Sequence, residues 1–230
     1  MLSPIITDCY ASGVLPENRH RTLINFFPNC NLSVRRSALE DVGFYDERCT
    51  ASEDVDLCRR VSSRGWRLYY EPRAACFHEP RKSLTGLMKQ WYWYGKAAAF
   101  VFKRHQSERF EIFLSLDPRP RIFSYRRILH WPAFPVQGLL FLNPFTLLSG
   151  LLLVCALGLV LKLTVPASLL LLPAILFMVC THVRNPALRG RSTGEVAVYY
   201  LVTLVINLSC TWGGLVGGMR NRILYLHPGV

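Results

Sequence analysis

Ser52-Glu53-Asp54-Val55-Asp56-Leu57-Cys58-Arg59-Arg60-Val61 is the stretch on which the rest of the chain is read. Three acids open it, a basic pair follows, and Arg64 and Gly65 come next, so its charges suit a helix dipole and the glycine a helix stop. Thr50 or Ser52 is expected to cap that helix through its hydroxyl. Side chains three and four positions apart are neighbours on a helix, so Asp56 meets Arg59 and Arg60, whereas Asp54 meets Leu57 and Cys58. Asp54 is thus the carboxylate without a cation in helical reach, and Glu53 adds negative charge beside it. A group so placed suits a general base. Helix logic alone equally accommodates a plain capping role.

Around this stretch the 230 residues pair 51% hydrophobic content with a net charge of +12, an unusual combination for one soluble globule. The two properties are segregated. Residues 1–127 hold nearly all the acid, and residues 138–219 hold long uncharged runs broken by short basic connectors. The pattern predicts a polar domain followed by a membrane domain. Many arginines flank apolar runs, where anionic lipid headgroups are the nearest partner, and no zinc-finger spacing or RNP-like aromatic motif occurs, so nucleic acid is not an expected partner. Eight cysteines are scattered without a C-x-x-C pair, which argues against a zinc site or a disulfide framework and suits a cytosol-facing domain. Met1 to Gly13 lacks the basic and apolar regions of a secretory signal.

Residues 1–22 are expected to be irregular. Strand character begins at Leu23, a helix capped by Ser37 runs to Gly43, and Trp66 to Glu71 and Ala74 to His78 are expected to be extended. From Ser83 to about Arg104, Leu84, Leu87, Met88, Trp91, Tyr94 and Ala98 recur at helical spacing. Residues 117–137, rich in arginine and aromatics, are expected to form an interfacial linker among membrane lipids. Three spans follow, Gly138 to Leu161, Leu163 to Val183 and Val196 to Met219, with residues 220–230 as a tail. Seven basic residues on one side against three on the other, Lys162, Arg220 and Arg222, predict a multi-pass cell-membrane protein whose polar domain is cytoplasmic. Gly213, Gly214, Gly217 and Gly218 form two overlapping G-x-x-x-G pairs that permit close approach of another helix.

The ordered motifs Asn29-Cys30-Asn31-Leu32-Ser33-Val34-Arg35-Arg36, Leu39 to Glu47, Glu53 to Arg60, Gly65 to Tyr70, Pro72, Ala74 and His78 resemble the acceptor-side half of a family-2 glycosyltransferase with the GT-A fold. The resemblance implies an α/β fold class: a partial GT-A-like domain over residues 23–116, then an α-helical transmembrane domain of about three helices over residues 138–219. It implies transfer, with inversion, of a sugar from a nucleotide-sugar donor to a glycan or lipid-linked acceptor. It makes Asp54 the catalytic base and Glu53 its motif partner, leaves Asp56 structural, and brings His78 to the place of a ligand for a divalent metal, Mn²⁺ or Mg²⁺. Asn31, Arg35 and Arg36 fall where the acceptor or a phosphate approaches, and the arginines equally suit a solvated face. Gln90, Trp91 and Tyr94 fall where processive relatives carry Q-x-x-R-W, with Trp93 in place of the arginine and Tyr94 in place of the tryptophan.

A complete GT-A domain opens with a nucleotide-binding half ending in D-x-D, and residues 1–24 supply neither its strands nor that motif. Asp54-Val55-Asp56 fits D-x-D literally, but its context is the downstream helix. The expectation is therefore a shortened enzyme or one part of a split protein. The competing expectation is a non-catalytic membrane protein whose partial domain binds a glycan or a partner chain.

Overall fold

The computed structural model describes residues 22–23, 28–71, 73–77, 79, 81–105, 109–115, 124–130, 137–142, 144–160, 172, 174–176, 179, 188 and 190–226. Two helices, α1 (Arg36–Val42) and α2 (Glu53–Ser63), form a small unit with a short antiparallel pair, β1 (Thr22–Leu23) and β2 (Tyr69–Tyr70). Gly43 ends α1 in the left-handed conformation, as expected. Gly65, also left-handed, ends α2: its N–H donates to the Ser62 carbonyl and that of Trp66 to the Val61 carbonyl. Ala38, Leu57 and Val61 form the core of the unit, with Leu32, Val34, Trp66 and Leu68 packed around them.

Three sequence expectations fail in this unit. Neither Ser37 nor Ser52 caps a helix through its hydroxyl: α1 starts after Arg35, and Ser52 adopts a left-handed backbone, φ 57°, that makes no side-chain cap. Of Trp66 to Glu71 only Tyr69 and Tyr70 pair as strand, and Ala74–Phe77 is not part of a strand among the described residues. His78 lies outside the described residues.

The long helix α3 (Leu84–His105) is the one its periodicity predicts. Beyond it come β3 (Arg109–Ser115), β4 (Ser124–His130), β5 (Gly138–Leu142), α4 (Pro144–Val160), α5 (Thr193–Asn221) and β6 (Leu224–Leu226). The sheet order is β4-β3-β5-β6, with β3 antiparallel to β4 and parallel to β5, and β5 parallel to β6. Ser124–His130 is thus a strand where an interfacial linker is expected, and Gly138–Leu142 a strand where a membrane span should begin. A short apolar run serves either purpose, and the pairing of Phe110 with Gly138 and of Gly138 with Leu224 decides it.

α5 begins with a capping box, in which Ser192 Oγ accepts the Glu195 N–H and the Glu195 carboxylate accepts the Ser192 N–H. Its glycines meet α3. A Cβ on Gly213 would collide with the Tyr92 carbonyl, one on Gly217 with the Lys96 carbonyl, and one on Gly95 of α3 with the Cys210 carbonyl. Gly214 and Gly218 face Tyr225 of β6 instead. The partner of the glycine stripe is therefore a helix of the same chain. The helices run parallel, from Leu87 against Val202 and Ile206 at one end to Lys103 Nζ donating to the Asn221 carbonyl, 2.5 Å, at the other.

Among the described residues α5 is the one helix long and apolar enough to cross a membrane; α4 is shorter, and most of the expected second span lies outside them. Arg220 and Arg222 were expected across the membrane from the polar domain, yet Asn221 touches Lys103, whose neighbour Arg104 reaches the α1–α2 unit.

Gly213→Ala should lower stability by about 1–3 kcal/mol through overpacking, read as a lower thermal midpoint in detergent. Gly194→Ala, with open space around it, should not.

Candidate functional site

On a helix of 3.6 residues per turn, positions two apart point to nearly opposite sides. Asp56 points into the junction with α3 and is fully buried. Its Oδ2 accepts from Arg60 Nε at 2.8 Å, and its Oδ1 meets His105 Nε2 at 2.8 Å and Arg104 Nε at 3.4 Å. Arg60 also donates to the Val42 carbonyl at 2.7 Å, tying α1 to the same cluster. Arg104 additionally pairs with Asp46, which accepts the Arg48 guanidinium at 2.7 and 3.0 Å. The Arg48 side chain, followed by its N–H and by Arg104, holds the Asp46 carboxyl well below the usual carboxylate range.

Asp54 points the other way, toward the 3₁₀ turn Asn29–Asn31, and is half-buried. Its Oδ1 accepts the Val55 N–H at 2.8 Å and its Oδ2 the Asn29 N–H at 3.1 Å. The Asn29 side chain donates to Glu53 Oε1 at 2.8 Å and accepts the Tyr45 hydroxyl at 2.7 Å. Asn29 is thus the hub that fixes both acids. Among the described residues no cation pairs with Asp54. Burial pushes its carboxyl above the ordinary range, against the two N–H groups that favour the charged form. Ser52, left-handed just before these acids, places backbone strain of about 1–2 kcal/mol beside the site.

The remaining sequence-derived site residues do not gather here. Asn31 Nδ2 donates to the Ala74 carbonyl at 2.7 Å, so it positions the segment after β2. Arg35 is exposed at the start of α1. Gln90 donates to the Tyr94 hydroxyl at 2.8 Å, and Trp91 meets Tyr94 edge-on and packs against the core between α3 and α5. From Gln90 to Arg104 the helix rises about 21 Å, so these three lie far along α3 from the α2 junction. Among the described residues no three His, Cys, Asp or Glu side chains converge on a metal-sized site, and Glu53 and Asp54 are already engaged by Asn29. The described residues therefore do not form a metal centre.

Asn29, Tyr45, Asp46, Arg104 and His105 were missed in the sequence. Asn29, Tyr45 and Asp46 lie inside the quoted motifs, so their positions carried a signal. Arg104 and His105 carried only the basic end of a helix, which is ordinarily read as complementing its dipole.

The sequence model of glycosyl transferase family group 2 matches residues 6–182. The chain belongs to that family. It is 37% identical over 102 residues to the pre-mycofactocin glycosyltransferase of Mycobacterium tuberculosis, a match covering 44% of this chain and 21% of the relative. It is 31% identical over 74 residues to the succinoglycan biosynthesis protein ExoA of Rhizobium meliloti, covering 32% and 22%. It is 33% identical over 93 residues to the poly-beta-1,6-N-acetyl-D-glucosamine synthase of Staphylococcus aureus, covering 39% and 22%. The chain spans about a fifth of the length of these curated relatives. No solved structure gives a significant match.

Asp56→Asn should cost about 3–5 kcal/mol, because Arg60 and Arg104 would be left facing a neutral group in a buried junction. Chemical denaturation should show that loss, and Arg36→Ala, which removes an exposed pair with Glu40, should cost under about 1 kcal/mol.

Proposed function

We propose that this chain carries the acceptor-activating part of a membrane-anchored, inverting glycosyltransferase, with Asp54 as its general base. The observation that carries this reading is the Asp54 carboxylate, which is half-buried, oriented by two backbone N–H groups and free of any cationic partner among the described residues. Each oxygen accepts one N–H and keeps a further lone pair for an incoming hydroxyl. As that hydroxyl attacks the anomeric carbon opposite the leaving nucleoside diphosphate, Asp54 takes its proton, and attack on that face inverts the centre. Glu53 sits beside the base, held by Asn29, and its charge adds to the burial that raises the Asp54 carboxyl. A base raised in this way binds the transferred proton more tightly.

A nucleotide-sugar is the donor this family implies, and the names of the relatives support a glycan or glycosylated small-molecule acceptor. A divalent metal, where one is bound, would offset charge on the leaving diphosphate, and its ligands would come from outside the described residues. Anchoring is supported by α5 and by exposed apolar side chains on α4 and α5, Leu147, Val154, Leu157, Leu201, Trp212 and Met219. Lys103, Arg104, Arg220 and Arg222 cluster where α3 and α5 end, beside the α1–α2 unit.

In the full-length transferase Asp54→Asn should lower transfer by about 10²–10⁴-fold while calorimetry shows donor binding retained; unchanged turnover would remove Asp54 from the mechanism. Because burial raises the folded-state Asp54 above its unfolded value, the wild-type chain should gain stability relative to Asp54→Asn as pH falls through that raised range, and lose it as pH rises.

A further inference from the structure

Cys30 and Cys76 are 46 positions apart in the chain and adjacent in the fold. Cys76 Sγ donates to the Cys30 carbonyl at 3.6 Å; burial, and after it the Cys76 thiol nearby, push the Cys30 thiol up. Both are free and exposed, whereas Cys58 and Cys210 are buried. The contact is held from both sides. Asn31 Nδ2 grips the Ala74 carbonyl, two residues before Cys76, and the Asn31 N–H closes the 3₁₀ turn on the Pro28 carbonyl at 3.4 Å. Cys30 itself follows Asn29, whose N–H holds Asp54.

Two exposed thiols brought together by tertiary contacts exchange with external disulfides far more readily as a pair than singly, since the second thiol resolves the mixed disulfide intramolecularly. We propose that Cys30 and Cys76 form a reversible disulfide site, oxidised by a small disulfide of the glutathione class, and that the bond clamps the turn that positions Asp54. One thiolate attacks a sulfur of oxidised glutathione, forming a mixed disulfide and expelling one glutathione thiolate. The other thiolate attacks the protein sulfur of that mixed disulfide and expels the second. Two S–H bonds and one S–S bond break, one protein S–S bond and two glutathione S–H bonds form, and the two electrons lost by the protein reduce the glutathione disulfide. Forming the bond does not depend on the glycosyltransferase reading; only its relevance to the base rests on it.

The test uses the full chain in detergent, incubated with oxidised glutathione, alkylated and digested with trypsin without reduction. Peptides 22–35 and 74–81 should appear joined in the majority of molecules, two hydrogens lighter than their sum, and dithiothreitol should separate them. Cys76→Ser should leave Cys30 stalled as a glutathione mixed disulfide, and Cys49→Ser should leave the cross-link intact. In the oxidised chain the amides of Asn29 to Asn31 should exchange hydrogen more slowly than in the reduced chain. Recovery of the two peptides only as separate glutathione adducts or alkylated forms would overturn the site. A cross-link that leaves exchange at Asn29 to Asn31 unchanged would overturn the clamp.

Discussion

The structure depends on one buried carboxylate. Asp56, without solvent contact, is where α1, α2 and the C-terminal end of α3 meet: Arg60 comes from its own helix and reaches back to α1, and Arg104 and His105 arrive from α3. Taking these charges out of water cancels much of what their attraction gains, so the cluster contributes little net stability compared with an apolar junction. What it supplies is orientation, because removing any one charge leaves the others uncompensated. The small α1–α2 core has few large side chains with which to fix its own attitude toward α3, and the charge cluster supplies that attitude.

This constraint is what frees Asp54. With Asp56 turned inward and saturated by cations, its neighbour two positions earlier faces the opposite side of the helix, where backbone N–H groups orient it and burial raises its proton affinity. The same helix thus presents one carboxylate that is neutralised and structural and one that is oriented and unpaired. Asn29 makes the arrangement specific. Its backbone holds Asp54, its amide nitrogen holds Glu53 and its amide oxygen is held by Tyr45, so three segments distant in sequence converge on one acid pair.

Local order was legible in the residues, and non-local order was not. The acid-to-base run of α2, the spacing of apolar residues in α3 and the glycine stripe of α5 each encode their element within a few turns, and each element is present. The identity of Asp54 as the carboxylate without a helical cation was legible for the same reason. The sheet was not, because β3 and β5 pair across 28 positions, Phe110 with Gly138, and Gly138–Leu142 has the same apolar composition as the start of a membrane span. The grip of Arg104 and His105 on Asp56 leaves no local trace either. The glycines illustrate the boundary: their spacing announces a close helix contact, and only the fold shows that the partner is α3 of the same chain.

The separation of roles between Asp54 and Asp56 is tested most directly by a carboxyl ¹³C NMR titration of the chain, with Asp54 assigned by comparison with Asp54→Asn. The account predicts that Asp54 titrates above the range of an ordinary aspartate, and that Asn29→Ala, which removes the amide holding Glu53 and Tyr45, changes its midpoint. An Asp54 that titrates at or below the ordinary range, indifferent to Asn29, would contradict it.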